Sequence, residues 1–139
     1  MSIVLGIDVG GSTTKICGFD ENKNLIAPLS VKADDPVSSI YGAFGKFTSQ
    51  YGLAISDIRK VMITGVGSSF VGDDLYGIPT CHVQEFDCIG RGGNYLAELS
   101  EAIVVSLGTT GVGLSLLLRI REKYGTVEED DIIRREQKI

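Results

Sequence analysis

Runs of apolar residues, separated by glycine-rich or polar turns, predict the first strands of this chain. Residues 3–9 are nearly all apolar or β-branched and predict a buried strand, which ends at Asp8-Val9-Gly10-Gly11. A second extended stretch covers residues 13–20, and the turn residues Asn22-Lys23-Asn24 lead into a third that ends near Val31. We therefore expect a meander of three strands.

Apolar residues at three- and four-residue steps predict the first helix after this meander. Asp35 suits its N-terminal cap, Pro36 its first turn and Gly52 its end. The stripe is expected to pack on a sheet face, because an isolated helix of this length is marginal in water. Its apolar positions are Val37, Ile40, Tyr41, Phe44, Phe47 and Tyr51.

The remainder of the chain alternates strands and helices. A second helix is expected to be capped by Asp87 and to run to about Leu99, and a short helix is expected at residues 70–75. Further strands are predicted at residues 61–64, 79–83 and 102–107. A meander followed by this alternation implies the α/β class, with a mixed sheet and helices on its faces.

The end of the chain has a different pattern. Residues 114–123 predict an amphipathic helix, and a dense block of mixed charge follows, including Glu128-Glu129-Asp130-Asp131 and Arg134-Arg135-Glu136. Such a block is typical of a solvated helix or a frayed tail.

Composition and charge narrow the classes of function. With 139 residues, 43% hydrophobic and 22% charged, the chain is expected to fold as an ordinary globular protein. Its net charge of −5 argues against nucleic acid as a partner. No signal peptide or membrane span is predicted, so we expect a cytoplasmic protein without a membrane partner.

The three cysteines, Cys17, Cys81 and Cys88, are an odd number and predict no disulfide framework. They are expected to be buried small apolar residues. Cys81, His82 and Cys88 lie close in sequence, but a zinc site needs about four ligands and no second pair is present. His82 is expected to have a structural role.

Candidate chemistry begins at the end of the first strand. Glycines in a tight turn let backbone N–H groups approach an anion, nearby hydroxyls add donors, and a lysine adds a cation. Asp8, at the mouth of this turn, is suited to hold Mg²⁺ together with a bound phosphate. The expected anion-binding residues are Gly10, Gly11, Ser12, Thr13, Thr14 and Lys15.

Two more glycine turns follow predicted strands, Gly65-Val66-Gly67-Ser68-Ser69 and Gly108-Thr109-Thr110-Gly111-Val112-Gly113. Ligands gather at the carboxyl ends of strands in sheets of this kind, so we expect these turns to converge on one ligand site. Glu85 follows another strand and precedes a helix. It is a candidate base for a substrate hydroxyl that attacks phosphorus, or a carboxylate that only stabilises the helix N-terminus.

These residues resemble a known superfamily. Gly6-Ile7-Asp8-Val9-Gly10-Gly11-Ser12-Thr13-Thr14-Lys15 is similar to the first phosphate loop of the superfamily of actin, sugar kinases and Hsp70 ATPases. The segment from Ile63 to Ser69, with Val83-Gln84-Glu85-Phe86-Asp87, resembles bacterial type II pantothenate kinases. Val105-Ser106-Leu107-Gly108-Thr109 is similar to the second phosphate loop of those enzymes.

The resemblance implies a ribonuclease H-like, actin-like ATPase lobe over residues 1–101 and the start of a shortened second lobe over residues 102–139. It implies ATP and Mg²⁺ as cofactors and phosphorylation of pantothenate to 4'-phosphopantothenate, the first step of coenzyme A synthesis. Asp8 would organise Mg²⁺, residues 10–15, Gly108 and Thr109 would hold the phosphates, and Glu85 would be the catalytic base. A homodimer is also implied.

The sequence departs from the pantothenate kinase pattern in its second lobe. The family arginine that holds pantothenate is assigned neither to Arg91 nor to Arg119. Because a first lobe alone would supply no closing lobe to exclude water, we expect weak or no kinase activity from these residues. One alternative is a non-catalytic nucleotide-binding remnant. Another is an ATPase activator of a dehydratase, which would use a pair of cysteines to bridge a cluster, although Cys81 and Cys88 lack the expected glycine-flanked setting.

Overall fold

The computed structural model describes residues 2–32, 34–99, 103–108 and 111–115. The chain divides into two compact units, Met1–Gln84 and Glu85–Ile139. The first contains a six-stranded sheet and the second a two-stranded sheet. The lobe boundary expected near residue 101 stays a prediction.

The sheet of the first unit is mixed. Its strands are β1 Ile3–Val9, β2 Thr13–Phe19, β3 Leu25–Lys32, β4 Ile58–Thr64, β5 Asp74–Leu75 and β6 Ile78–His82. Their order is β3-β2-β1-β4-β6-β5. The first three strands are antiparallel neighbours, whereas β4 pairs parallel with both β1 and β6. The structure thus confirms the predicted meander and the α/β class.

Helix α1, Pro36–Tyr51, covers one face of this sheet. Burial alternates along β1, where Ile3, Leu5, Ile7 and Val9 are buried. These side chains pack with the buried face of α1, because the period of two in a strand and 3.6 in a helix each present one apolar surface. The buried residues of α1 are Ser39, Ile40, Ala43, Phe44 and Phe47.

Both predicted ends of α1 are confirmed. The Asp35 carboxylate accepts a hydrogen bond from the Ser38 backbone N–H at 2.7 Å, which caps the helix. Gly52 ends it in the left-handed conformation with φ of 62°. The first and third positions of the apolar stripe differ from the prediction, since Val37 is 39% exposed and Tyr41 38%.

The prediction of a short helix at residues 70–75 was wrong. The chain forms one 3-10 turn at Ser68–Phe70 and then the strand β5. The reason is the two-residue turn Tyr76-Gly77, whose φ angles are both positive, 57° and 80°. Such a turn matches the twist of a hairpin and folds β5 antiparallel onto β6.

The second unit contains helix α2, Glu85–Ala97, and the antiparallel strands β7, Val104–Gly108, and β8, Gly111–Ser115. The helix begins before the expected cap, so Asp87 lies within its first turn together with Glu85. Acidic side chains are favourable there because the helix N-terminus carries partial positive charge.

The prediction of a helix at residues 114–123 was also wrong at the two of these residues that the structure describes. Leu114 and Ser115 belong to β8, where they pair with Val105 and Val104 of β7. Backbone pairing with β7 therefore takes precedence over the amphipathic pattern at these two residues. The rest of that helix and the charged block lie outside the described residues. In the part of the chain described, no helix is long and apolar enough to cross a membrane.

Candidate functional site

Two glycine turns meet at the carboxyl ends of β1 and β4. The first connects β1 to β2, and the Gly10 N–H donates to the Thr13 carbonyl at 3.0 Å. The second follows β4, and its Gly67 N–H donates to the Val9 carbonyl at 3.0 Å. This last bond joins the two turns directly. The predicted convergence is therefore observed for these two turns.

Gly65 lets the second turn approach the first closely. Its φ is +90°, and a Cβ there would lie 2.6 Å from the Val9 carbonyl oxygen and 2.7 Å from Asp8 Oδ1. A Cβ at Gly67 would lie 2.4 Å from Val9 Cγ1. Both glycines are thus required by space, and Gly65 also by its backbone conformation.

Asp8 is the charged centre of this edge of the sheet, where the carboxyl ends of β1 and β4 and the two glycine turns meet. It is partly exposed, and its Oδ2 accepts a hydrogen bond from Lys15 Nζ at 3.3 Å. The two residues are directly opposite each other on β1 and β2, so the antiparallel register places them together. An exposed ion pair of this length contributes little to the stability of the fold. Either side chain can therefore leave the other and bind a ligand instead.

Thr14 is one of the predicted anion-binding residues, but its side chain is fully buried. Its hydroxyl is 2.8 Å from the Ser39 hydroxyl, which itself donates to the Pro36 carbonyl at 2.9 Å. Since Ser39 uses its proton on Pro36, Thr14 is the donor of the pair. The Thr14 hydroxyl thereby connects β2 to the first turn of α1, whereas the neighbouring Gly11 and Ser12 are exposed.

The other predicted site residues belong to the second unit. Glu85 is exposed and begins α2. Gly108 ends β7 and pairs with Gly111 across the hairpin, so the third glycine turn is partly strand. Thr109 lies outside the described residues. The structure brings Asp8 and Lys15 together with two glycine turns, and it describes Glu85 and Gly108 within their own unit.

All three cysteines are of intermediate burial, less than the full burial expected for them. Burial raises the pKa of the Cys17 thiol above its ordinary value, and a backbone hydrogen bond from Gly6 opposes this shift. His82, at the end of β6, is exposed. Within the described residues, no group of three or more His, Cys, Asp or Glu side chains could hold a metal ion.

Thr64 is a residue that the sequence reasoning missed. It ends β4, is Asp8's register partner, and is 8% exposed. Its hydroxyl is buried and has no hydrogen-bond partner among the described residues. The sequence signal was its position, the last strand residue before a glycine turn.

This edge of the sheet has the groups that bind a metal ion together with a phosphate. A carboxylate is a ligand that Mg²⁺ favours, often through water. The ammonium of Lys15 and the exposed turn at Gly11 and Ser12 are suited to anionic oxygens. The glycine contacts leave the carboxylate of Asp8 against backbone on one side and accessible on another. The residues present therefore fit a magnesium–phosphate group.

Comparison with known proteins identifies the chain's relatives. The sequence pattern of the BadF/BadG/BcrA/BcrD ATPase family matches residues 5–129. A curated relative, the 2-hydroxyisocaproyl-CoA dehydratase activator of Clostridioides difficile, is 23% identical over 100 residues, which are 72% of this chain and 36% of that protein. The chain thus spans about a third of the length of that relative.

Solved structures share the fold. Component A of the (R)-2-hydroxyglutaryl-CoA dehydratase of Acidaminococcus fermentans matches 82% of this chain and 42% of its own, with a TM-score of 0.71 at 18% identity. The Clostridium difficile activator with bound ADPNP matches 67% and 33%, with a TM-score of 0.58 at 24% identity. YeaZ from Pseudomonas aeruginosa matches 82% and 64%, with a TM-score of 0.58 at 11% identity.

These matches confirm the expected actin-like ATPase fold. The narrower resemblance to type II pantothenate kinases finds no support in them, since these relatives are a dehydratase activator, a dehydratase component A and YeaZ.

Proposed function

The chain belongs to the BadF/BadG/BcrA/BcrD ATPase family, and we propose that it binds and hydrolyses ATP at the edge where its two glycine turns meet. We propose further that this ATPase acts on a partner protein as a dehydratase activator. The Clostridioides difficile and Acidaminococcus fermentans relatives, an activator and a component of hydroxyacyl-CoA dehydratases, support this class of partner.

The observation that carries the proposal is the ion pair of Asp8 and Lys15 beside two turns joined by the Gly67–Val9 hydrogen bond. A phosphate chain needs a cation-binding carboxylate, a positive side chain and backbone N–H groups at short range. This edge supplies all three from one strand pair and one glycine turn.

Each residue has a separate task in this proposal. Asp8 would hold Mg²⁺, which neutralises phosphate charge when bound. Lys15 would turn from Asp8 to the phosphate oxygens, while the exposed turn at Gly11 and Ser12 would donate backbone N–H groups. Gly65 and Gly67 would keep the second turn close enough to hold the Asp8 carboxylate in place. Gly108 and Thr109 are proposed as further phosphate contacts.

Glu85 is proposed as the general base. Its carboxylate is exposed in the first turn of α2 and is able to accept a proton. In an activator it would take that proton from water, and in a pantothenate kinase from the substrate hydroxyl. The same residue therefore serves either reaction, and the acceptor distinguishes them.

The test begins with calorimetric titration of Mg·ATP into the whole chain. The Asp8→Asn variant is expected to bind roughly tenfold or more weakly in Mg²⁺, because the carboxylate charge is lost. The Asp73→Asn variant, which changes an exposed carboxyl in the loop before the edge strand β5, is the matched control and should bind as the wild type. Equal affinity of wild type and Asp8→Asn would contradict the proposed site.

A turnover assay separates the two reactions. Phosphate release from ATP is measured with and without pantothenate, and 4'-phosphopantothenate is sought by mass spectrometry. We expect pantothenate-independent hydrolysis, reduced on the order of a hundredfold or more by Glu85→Gln with ATP affinity kept. Formation of the phosphorylated product would instead support the kinase. Binding without any turnover in the presence of a dehydratase partner would support the non-catalytic remnant.

A further inference from the structure

The hydroxyl of Thr64 is buried in an unusual place. Along β4 the core-facing side chains Val61 and Ile63 are buried by the packing of the first unit. Thr64 follows Ile63 and projects from the opposite face, because successive strand residues alternate. Even so, Thr64 is only 8% exposed.

This hydroxyl also lacks a partner. Within the part of the chain that the structure describes, Thr64 Oγ1 makes no hydrogen bond. Two other buried threonines of the sheet differ, since Thr14 bonds to the Ser39 hydroxyl and Thr80 donates to the Ile78 carbonyl at 3.1 Å. A buried polar group without a partner is costly and calls for an explanation.

The position of Thr64 beside Asp8 supplies an explanation for this buried hydroxyl. Thr64 and Asp8 are register partners on the parallel strands β4 and β1, so their side chains project from the same face. Asp8 Oδ1 lies close to Gly65, the residue that follows Thr64, while Asp8 Oδ2 accepts a hydrogen bond from Lys15 at 3.3 Å. The Thr64 hydroxyl thus lies beside the Asp8 carboxylate. That carboxylate takes part in an exposed ion pair with Lys15, and 3.3 Å is long for such a contact.

We propose that Thr64 is a positioning residue for Asp8. When a cation takes the place of Lys15 at Asp8, the carboxylate turns and Thr64 Oγ1 donates a hydrogen bond to it, holding it in the cation-binding orientation. The inference rests on the proposed function, because it requires a cation and phosphate at Asp8. No covalent bond is formed or broken: the hydrogen bond from Lys15 to Asp8 is exchanged for the cation contact and for the hydrogen bond from Thr64.

The test uses Thr64→Val, which keeps the shape and removes the hydroxyl. Two quantities are measured on the whole chain: the thermal unfolding midpoint without ligand, and the ADP affinity with and without Mg²⁺. We expect the midpoint to rise or stay unchanged, since an unpartnered buried hydroxyl is lost. The gain in ADP affinity from Mg²⁺ should fall about tenfold, because a hydrogen bond to a charged group is lost. Thr64→Ser should restore that gain.

Thr80→Val is the matched control, because it removes a buried hydroxyl that already has a partner. It should lower the unfolding midpoint and leave the Mg²⁺ gain unchanged. If Thr64→Val behaves in the same way as Thr80→Val, the hydroxyl is merely structural and the inference is overturned. Thr64→Ala provides a second loss variant should the valine variant fail to fold, and an unchanged Mg²⁺ gain in it has the same meaning.

The outcomes separate this inference from the proposed function. Wild-type binding that depends on Mg²⁺ and on Asp8, together with an unchanged Thr64→Val, overturns only the role of Thr64. Absence of Mg²⁺-dependent binding in the wild type overturns both.

Discussion

Gly65 determines, at the scale of one residue, how closely the strand ends of the site approach each other. Its φ of +90° is a conformation that L side chains rarely adopt, and the space beside it is taken by the Val9 carbonyl and the Asp8 carboxylate. A side chain at this position would therefore act on the fold and on the carboxylate that we propose as the cation ligand, Asp8, at once.

The Gly65→Ala variant should be destabilised by about 1–3 kcal/mol from backbone strain. It should also bind Mg·ATP more weakly, because the new Cβ displaces Asp8. Urea unfolding and calorimetry measure the two effects. Gly45→Ala is the control, since it lies inside α1 with no atom within 4 Å of the added Cβ. That change should stabilise the chain by up to about 1 kcal/mol, and equal behaviour of the two variants would contradict the contact at Gly65.

At the scale of an element, α1 depends on its cap as well as on its apolar stripe. The hydrogen bonds from Ser38 lower the pKa of the Asp35 carboxyl below its ordinary value of 3.8. Hydrogen bonds from Asn24 lower the pKa of Asp20 in the same direction, in the turn between β2 and β3. Each carboxylate binds fewer protons in the folded chain than in the unfolded one near these values.

The sign of the pH dependence follows from this difference. Stability from a lowered carboxyl pKa is fully present above the ordinary value of 3.8 and is lost as the pH falls through the lowered pKa of the folded state. Unfolding midpoints in urea should therefore decrease below about pH 4. In Asp35→Asn, which keeps a capping side chain but does not titrate, the decrease should be smaller. An identical decrease in both proteins would show that the cap carboxylate contributes nothing to it.

At the scale of the whole molecule, the first unit is organised by one apolar layer between α1 and the sheet. Phe47 is fully buried in this layer and its ring lies 3.3 Å from the place where a Cβ at Gly18 would be. Gly18 on β2 thus gives the aromatic ring room to approach the sheet. The site depends on this layer, because the same packing fixes the ends of β1 and β4.

Replacing Phe47 with alanine should cost about 3–5 kcal/mol, since a large cavity is left in the layer. This is a large fraction of the roughly 5–15 kcal/mol that stabilises an ordinary domain. Val37→Ala, at a position of the same stripe that is 39% exposed, should cost much less. Chemical unfolding measures both, and a similar loss in the two variants would contradict the assigned layer.

Much of the fold was predictable from local sequence. The alternating or continuous apolar residues of β1, the stripe of α1 and the residues Asp35 and Gly52 at its ends follow rules that act over a few residues. Residues 10–15 were predicted to bind an anion for the same reason, since glycine, hydroxyl and lysine groups carry their chemistry wherever the chain places them, and this assignment stays a prediction. The superfamily could be inferred from that turn.

Other features depended on interactions that the periodic pattern of apolar residues does not show. The start of α2 and the strand at Leu114 differed from the prediction because first-turn charge and cross-strand pairing outweighed local pattern. The narrower resemblance to pantothenate kinases rested on short motifs that related ATPases can share, and the family comparison gave it no support.

The sequence by itself determined which segments are strand or helix in the meander and α1, and which residues could bind an anion or a cation. Only the tertiary structure decided that Val9 accepts the Gly67 N–H, that Asp8 lies beside both Lys15 and Gly65, and that Thr64 has a buried hydroxyl without a partner. The physical reason is range. Propensity and periodicity act between near neighbours in the chain, whereas the contacts of Asp8 and Val9 with the end of β4 and the turn after it arise from the register of strands more than fifty residues apart.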